Sequence, residues 1–344
     1  MRPNPEQFPT WDDVSDPNHS CLILFEDGKQ LGPAHEPIDL VRQIGLGRYA
    51  YWDRVLYFSS SDNSNPLKNG RTYTIENSPD LYFERQVDYC LGTVRSYVTN
   101  LNTDDRVFKN QSVLEIGAGR SMGTALTMAC LGAKVVVVDR YLPTWDENFH
   151  PHFFAKLKER LNTIFPWADV QQINQVVARQ SFECDLVQTV HERLEDLPNQ
   201  FEGNFDIHVS NACLEHLEHT EAAFQTLARS LRPGAIGAHQ VDFRDHSNFS
   251  NPLGFLLLSE KAHKEKWTGK RYIHGNRMRQ DQMSECLRQA GFCNFTFTTE
   301  MSADSEYLED FLPQLRASTE SPFRFYPQDQ LSILSGFYQF RRED

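Results

Sequence analysis

Residues 113–123 read Val-Leu-Glu-Ile-Gly-Ala-Gly-Arg-Ser-Met-Gly, and Thr124-Ala125-Leu126 then open a helical run. A short apolar strand thus passes through a glycine-rich turn into a helix. Glycines at Gly117 and Gly119 allow tight turning and let a ligand approach the backbone closely. The turn also offers backbone N–H groups and a helix N-terminus to a carboxylate or phosphate. An anion-bearing, nucleotide-like ligand fits such a turn.

The next apolar run, KVVVVDR, ends at Asp139, where a carboxylate can accept hydrogen bonds from both hydroxyls of a ribose. NAD sites and S-adenosylmethionine sites share that combination. Two details favour the second. Glu115 lies two residues before the first glycine, and an acid there suits an ammonium rather than a pyrophosphate. The third glycine falls at Gly123, so Met122 stands where a strict G-x-G-x-x-G needs glycine. NAD or NADP, and hence a dehydrogenase, stays as the rival reading.

Working outward, strands and helices alternate beyond Gln111, which predicts βαβ units and a mostly parallel sheet. The expected strands are 112–116, 134–138, 186–190, 205–210, 235–241, 292–299 and 336–340. The expected helices are 122–131, 152–164, 220–231 and 279–290, the last two stopped by Arg232-Pro233-Gly234 and by Gly291. Residues 243–279 fit no regular unit and are read as an insertion at an acceptor site. Upstream, CLILFEDGKQLGP alternates apolar residues around Asp27-Gly28, the chemistry of a tight hairpin, and RTYTI at 71–75 reads as a further strand. Residues 1–75 therefore form a β-rich module and 76–110 a helical connector, leaving 111–344 for an α/β domain of Rossmann type with seven strands and helices on both faces.

From Tyr82 to Phe340 the chain resembles the class I S-adenosylmethionine-dependent methyltransferases. The resemblance rests on VLEIGAGRSMG, VVVVDR, EDLP at 195–198, NFDIHVSNACLEHLEH at 204–219 and LRPGA at 231–235, in that order. It implies a methyl-transferring enzyme in which Glu115, Gly117, Ala118 and Gly119 serve the methionine part of the cofactor and Asp139 the ribose, with Arg140 also lining the cofactor site. Residues 192–194 would flank the adenine, with Arg193 in the approximate place of the family's usual acid and Glu192 as its substitute. Asn211 and Ala212 would close the site. His216, in the LEHLEH segment, is either an acceptor contact or a packed or capping side chain.

A hydroxyl acceptor needs its proton removed, by a base or through a metal. The segment His239-Gln-Val-Asp242-Phe-Arg-Asp245-His246 brings imidazoles and carboxylates to the sheet edge where open α/β folds bind ligands. His246 is the candidate base, with Asp245 or Asp242 to orient it. The same pair could instead cap the loop that follows, and His239 reads as a core residue. Asp and His can ligate a divalent ion, but without a ligand spacing signature no metal is expected. Asn276 and Arg277 are candidate acceptor contacts, since a guanidinium binds a carboxylate bidentately. The segments FRDHSNF and NRMRQDQM resemble a branch of these methyltransferases found with surface-polysaccharide and secondary-metabolite genes. FEDGKQLGPAH at 25–35, GLGRYAYW at 45–52, LYFSSSDNSNP at 56–66 and NGRTY at 69–73 resemble a module that accompanies glycan-modifying enzymes. Both resemblances imply O-methylation of a small molecule or glycan, with the N-terminal module binding or covering the acceptor. The competing reading is a non-catalytic cofactor- or glycan-binding protein.

Composition excludes other classes. Lys plus Arg total 34 against 47 for Asp plus Glu, a formal charge of -13, so there is no basic field for nucleic acid. The 7 cysteines follow no CxxC spacing and read as free thiols of a reducing compartment. Residues 1–16 lack the charged flank and apolar run of a secretory signal, and no stretch reaches membrane-spanning length, so a cytoplasmic location is expected.

Overall fold

The computed structural model describes residues 2–4, 6–8, 10–12, 19–267, 275–292 and 294–342. Part of the 1–16 reading, residues 268–274 of the expected insertion and Cys293 lie outside the described residues. The chain divides into two compact units, Met1–Gln86 and Val87–Asp344.

In the first unit, β1 (Leu22–Glu26) turns into β2 (Lys29–Gln30), and after α1 (Ile38–Gln43) the hairpin β3 (Tyr49–Trp52) and β4 (Val55–Phe58) follows, then β5 (Tyr73–Asn77). Asp27 and Gly28 both have positive φ, 49° and 78°, as a two-residue hairpin turn of this hand demands. β1 pairs antiparallel with β2 and β5. β5 runs to Asn77, past the expected boundary at 75. Tyr49, Tyr51, Leu22, Leu24 and Leu56 fill the core with Phe8 and Leu31. Tyr49 and Tyr51, two aromatics of this module, are thus interior.

α2 (Pro79–Asn100) precedes the α/β domain. There follow β6 (Ser112–Ile116), α3 (Gly123–Cys130), β7 (Lys134–Val138), α4 (His150–Ile164), α5 (Gln171–Arg179), β8 (Val187–Val190), β9 (Phe205–Asn211), α6 (Thr220–Ser230) and β10 (Leu231–Asp242). The rest comprises α7 (Glu260–Trp267), α8 (Gln280–Gln289), β11 (Asn294–Ser302), α9 (Ser305–Ala317), α10 (Gln328–Ser332) and β12 (Ile333–Arg341). Seven strands join in the order β11-β12-β10-β9-β6-β7-β8, with β12 antiparallel to its two neighbours and β10, β9, β6, β7 and β8 mutually parallel. This is the Rossmann-like sheet read from the sequence.

Alternation along the strands assigns the two faces. Leu114, Ile116 and Val138 belong to one apolar core with Phe224 and Leu227 of α6 and Met283 and Leu287 of α8. Val113, Val135 and Val137 point the other way and are equally buried, on the face where α3 packs against β7 and against α4 and α5. The expected irregular piece after β10 carries a short 3₁₀ turn at Gly254–Leu257 and then α7. No helix among the described residues is long and apolar enough to cross a membrane.

At the sheet centre, His208 of β9 and His239 of β10 share a hydrogen bond at 2.6 Å, and His239 Nδ1 bonds Ser210 Oγ at 2.6 Å. Both rings are fully buried, and burial holds both in the neutral form, His239 down to about 3. Gly237, opposite His208, leaves room for that ring: a Cβ there would lie 2.1 Å from His208 Cε1.

Candidate active site

The parallel strands β6, β7, β9 and β10 end on one edge of the sheet, and the loops that leave them hold the expected cofactor residues. After β6 the chain turns through Gly117 (φ 79°) and Gly119 (φ 63°), and Met122 also takes the left-handed conformation (φ 55°) before α3. A Cβ on Gly117 would stand 2.9 Å from Cys213 Sγ, so this glycine serves both the turn and the close approach of the β9 loop. Gly123 has a different task. It lies inside α3 and makes room for Cys90 Sγ and Phe153, 2.6 and 2.7 Å from where its Cβ would be. The loop is tied down on its far side, where His150 Nε2 meets the carbonyl of Arg120 at 3.1 Å and Arg120 pairs with Asp146.

Glu115 is buried in β6, and the Thr124 hydroxyl donates to its Oε1. Its Oε2 is buried without a partner, and burial pushes the carboxyl up to about 8 against the Thr124 bond. Such an atom is costly unless a donor arrives. The position therefore fits the ammonium of an amino-acid group. Asp139, beyond β7, accepts from the Ala118 N–H at 3.0 Å and from the Tyr141 N–H at 2.7 Å, which aims its half-buried carboxylate at the glycine loop. Arg140 leaves that loop to pair with Glu218 at 2.5 Å, and Arg193 points to Glu218 and Glu195 at 3.5 and 3.8 Å. Glu192 is exposed. The segments after β7, β8 and β9 thus meet through Arg140, Arg193 and Glu218.

β9 ends at Asn211, whose amide donates to the Tyr89 hydroxyl at 2.7 Å. Ala212 has φ 48°, and its N–H bonds Gln240. Cys213 then lies against Gly117, and a 3₁₀ turn at Leu214–His216 presents Glu215 and His216. Glu215 is 3% exposed, neither of its carboxylate oxygens has a hydrogen-bond partner, and burial raises it well above the ordinary carboxylate range. His246, in the loop after β10, brings Nε2 within 3.9 Å of Glu215 Oε1 and 3.5 Å of Asp242 Oδ2. Its ring meets that of His216 edge to face at 4.8 Å. Asp242 is clamped by Arg244 at 2.5 Å, and the Arg244 bonds, with the His246 ring nearby, outweigh burial and keep it ionised.

Of the two acids expected beside His246, Asp242 faces it, whereas Asp245 accepts from the Ser247 N–H and hydroxyl at 2.9 and 2.5 Å, an Asx-type turn. Asn276 is a staple. Its N–H donates to Glu215 O at 2.6 Å and its amide to Leu214 O and Leu217 O, so it braces the turn that carries Glu215 and His216. Arg277 is buried and bonds Leu258 O at 2.7 Å, with Glu260 at 2.8 Å. Arg279, fully buried, bonds the carbonyls of Phe243 and Ile333. These guanidinium groups are spent on the fold rather than held out toward a ligand. Glu215, Cys213 and Tyr89 are the neighbours of the site that sequence reasoning missed. The only cue to Glu215 was an acid inside an otherwise apolar and histidine-rich turn, LEHLEH.

A family model described as "Methyltransferase domain" matches residues 84–296. No curated protein matches the chain. Among solved structures it is similar to an S-adenosylmethionine-dependent methyltransferase from Mesorhizobium loti (12% identity, 76% of this chain and 100% of that one, TM-score 0.38). It is likewise similar to phosphoethanolamine N-methyltransferase 2 from Haemonchus contortus (16%, 80% and 63%, 0.36) and to the N-methyltransferase NodS from Bradyrhizobium japonicum (12%, 76% and 88%, 0.37). Likeness of this degree carries nothing about the acceptor.

Proposed function

The chain belongs to the methyltransferase-domain family, and from that premise we propose that it methylates a hydroxyl oxygen of a small molecule or glycan. It is an S-adenosylmethionine-dependent methyltransferase, and the dehydrogenase reading falls with the family assignment. The cofactor supplies an electrophilic methyl group on a sulfonium. In this reading Glu115 receives the ammonium, the loop through Gly117, Ala118 and Gly119 passes beside the methionine part, and Asp139 takes the ribose hydroxyls. Arg140, Glu192 and Arg193 border the adenine, and Asn211 with Ala212 closes the site beside Gly117.

The observation that carries an oxygen acceptor is the cluster of Glu215, His216, Asp242 and His246 at the ends of β9 and β10. A neutral amine needs no proton removed before it attacks, whereas an alcohol does. The acceptor oxygen forms the bond to the methyl carbon, the carbon–sulfur bond breaks onto sulfur, and the hydroxyl proton is drawn off at this cluster. His246 is the residue on which that proton removal turns, with Asp242 flanking it. Asp245 shapes the loop that presents His246.

Incubation with methyl-labelled S-adenosylmethionine and a metabolite or oligosaccharide extract, followed by identification of the product, tests the proposal. A labelled methyl ether is expected, and a His246→Ala chain should lose at least a hundredfold in turnover with its S-adenosylhomocysteine affinity kept. Label on nitrogen, no transfer at all, or undiminished turnover in the variant would overturn it.

A further inference from the structure

The geometry points to a metal centre: we propose that Glu215, His216 and His246 bind one divalent transition-metal ion. The three ligand atoms all lie within 4.8 Å of one another, with Glu215 Oε1 at 3.9 Å from His216 Nε2 and 3.9 Å from His246 Nε2. Bonds of about 2.1 Å hold neighbouring ligands about 3 to 4 Å apart, so rotamer adjustments of less than about 1 Å complete the set.

The independent observation is Glu215 itself. The residue is 3% exposed and neither carboxylate oxygen has a hydrogen-bond partner, although the fold satisfies the neighbouring acid Asp242 through Arg244. A buried carboxylate is tolerated when it is paired, hydrogen-bonded or bound to a metal. His246 Nε2 is also buried without a hydrogen-bond partner. The turn bearing the first two ligands is fixed by Asn276, which binds the carbonyls of Leu214, Glu215 and Leu217, so the ligands are held before the ion arrives. Two imidazoles to one carboxylate select Mn²⁺, Fe²⁺, Co²⁺ or Zn²⁺ over Mg²⁺ or Ca²⁺, which take oxygen ligands. Three protein ligands leave positions open for the acceptor.

The role of the ion rests on the hydroxyl reading above, but its binding does not. An acceptor hydroxyl bound to the ion loses its proton more readily, so His246 serves the reaction as a ligand. Without an ion, His246 serves as the base itself.

The test is titration of Co²⁺ into the chelator-treated full chain, read by visible absorption and by calorimetry, in the absence of acceptor. One ion per chain is expected, with the weak visible bands of nitrogen and oxygen ligation. Glu215→Gln and His246→Ala should each weaken binding at least tenfold. S-adenosylhomocysteine affinity within about twofold of the parent in the same samples shows that the variants are folded. No visible band, binding undiminished in both variants, or an intense thiolate charge-transfer band that moves the ion to a cysteine would overturn the proposal. Absence of a bound ion together with a labelled methyl ether would refute the metal centre and leave the O-methyl transfer standing.

Discussion

Replacing Gly117 by alanine loads two separate costs onto one methyl group. At φ 79° a residue with a Cβ pays about 1–2 kcal/mol for the left-handed backbone. The new Cβ would also stand 2.9 Å from Cys213 Sγ and 3.3 Å from Cys213 Cβ, and such overpacking costs about 1–3 kcal/mol. Gly117→Ala should therefore lose about 2–5 kcal/mol in urea unfolding. Cys213→Ala separates the terms, because it removes the sulfur and keeps the Cβ. In the double variant the packing cost is largely relieved while the backbone cost remains, a coupling of about 1–3 kcal/mol in the direction of rescue. S-adenosylhomocysteine affinity should follow the same order, since the glycine loop proposed to hold the cofactor and the loop that leads to Glu215 meet at this point. A single variant within about 0.5 kcal/mol of the parent, or a double variant that is simply additive, would refute the reasoning.

Two further outcomes are expected. Asp139→Asn keeps the shape but removes the charge and one acceptor from a carboxylate that now takes two N–H groups, so calorimetric affinity for S-adenosylhomocysteine should fall about ten- to hundredfold; an unchanged affinity would release Asp139 from ribose binding. The buried pair His208 and His239 stays neutral in the fold, while in the unfolded chain each ring takes up a proton as pH falls below about 6.5. Stability from this pair is complete above that pH and drains below it, by about 1.4 kcal/mol per pH unit for each ring, until the folded rings titrate. Urea midpoints between pH 7.5 and 5 should fall less steeply for His239→Asn than for the parent, and equal slopes would contradict the burial argument.

Much of the fold could be read because its signals are local. β6 and β7 have the expected ends, each an apolar run closed by a glycine or an acid, and α6 stops before Arg232-Pro233-Gly234. α9 escaped notice because Pro313 sits within it, and a proline reads as a helix breaker even where tertiary packing of Leu308, Phe311 and Leu315 holds the helix together. β12 starts at Ile333 rather than Gly336, a boundary fixed by pairing with β10 and β11 that no single segment encodes. At the site the same division holds. The glycine loop and Asp139 announce themselves within a few residues of each strand. Glu215, His216 and His246 come together only when β9 and β10 align, and their separation along the chain hides any ligand spacing. Asp245, the nearer acid in sequence, turned to Ser247 because an Asx turn competes for its carboxylate. Arg277 reads as ligand-seeking in the sequence, whereas in the structure its guanidinium bonds the Leu258 carbonyl.

The buried histidines have a consequence for how the sheet is assembled. Apolar strands such as β6 and β7 match one another through interchangeable valines and leucines, and one alignment is much like the next. Between β9 and β10 the pairing Gly237 to His208 and His239 to Ser210 admits no substitute. A shift by one residue would carry His239 to the opposite face, strand His208 and Ser210 without their partner, and drive a side chain into the space that Gly237 keeps clear. The chain thus checks its own alignment at the centre of the sheet, and Asn211 and Asp242 reach their common edge at one height only.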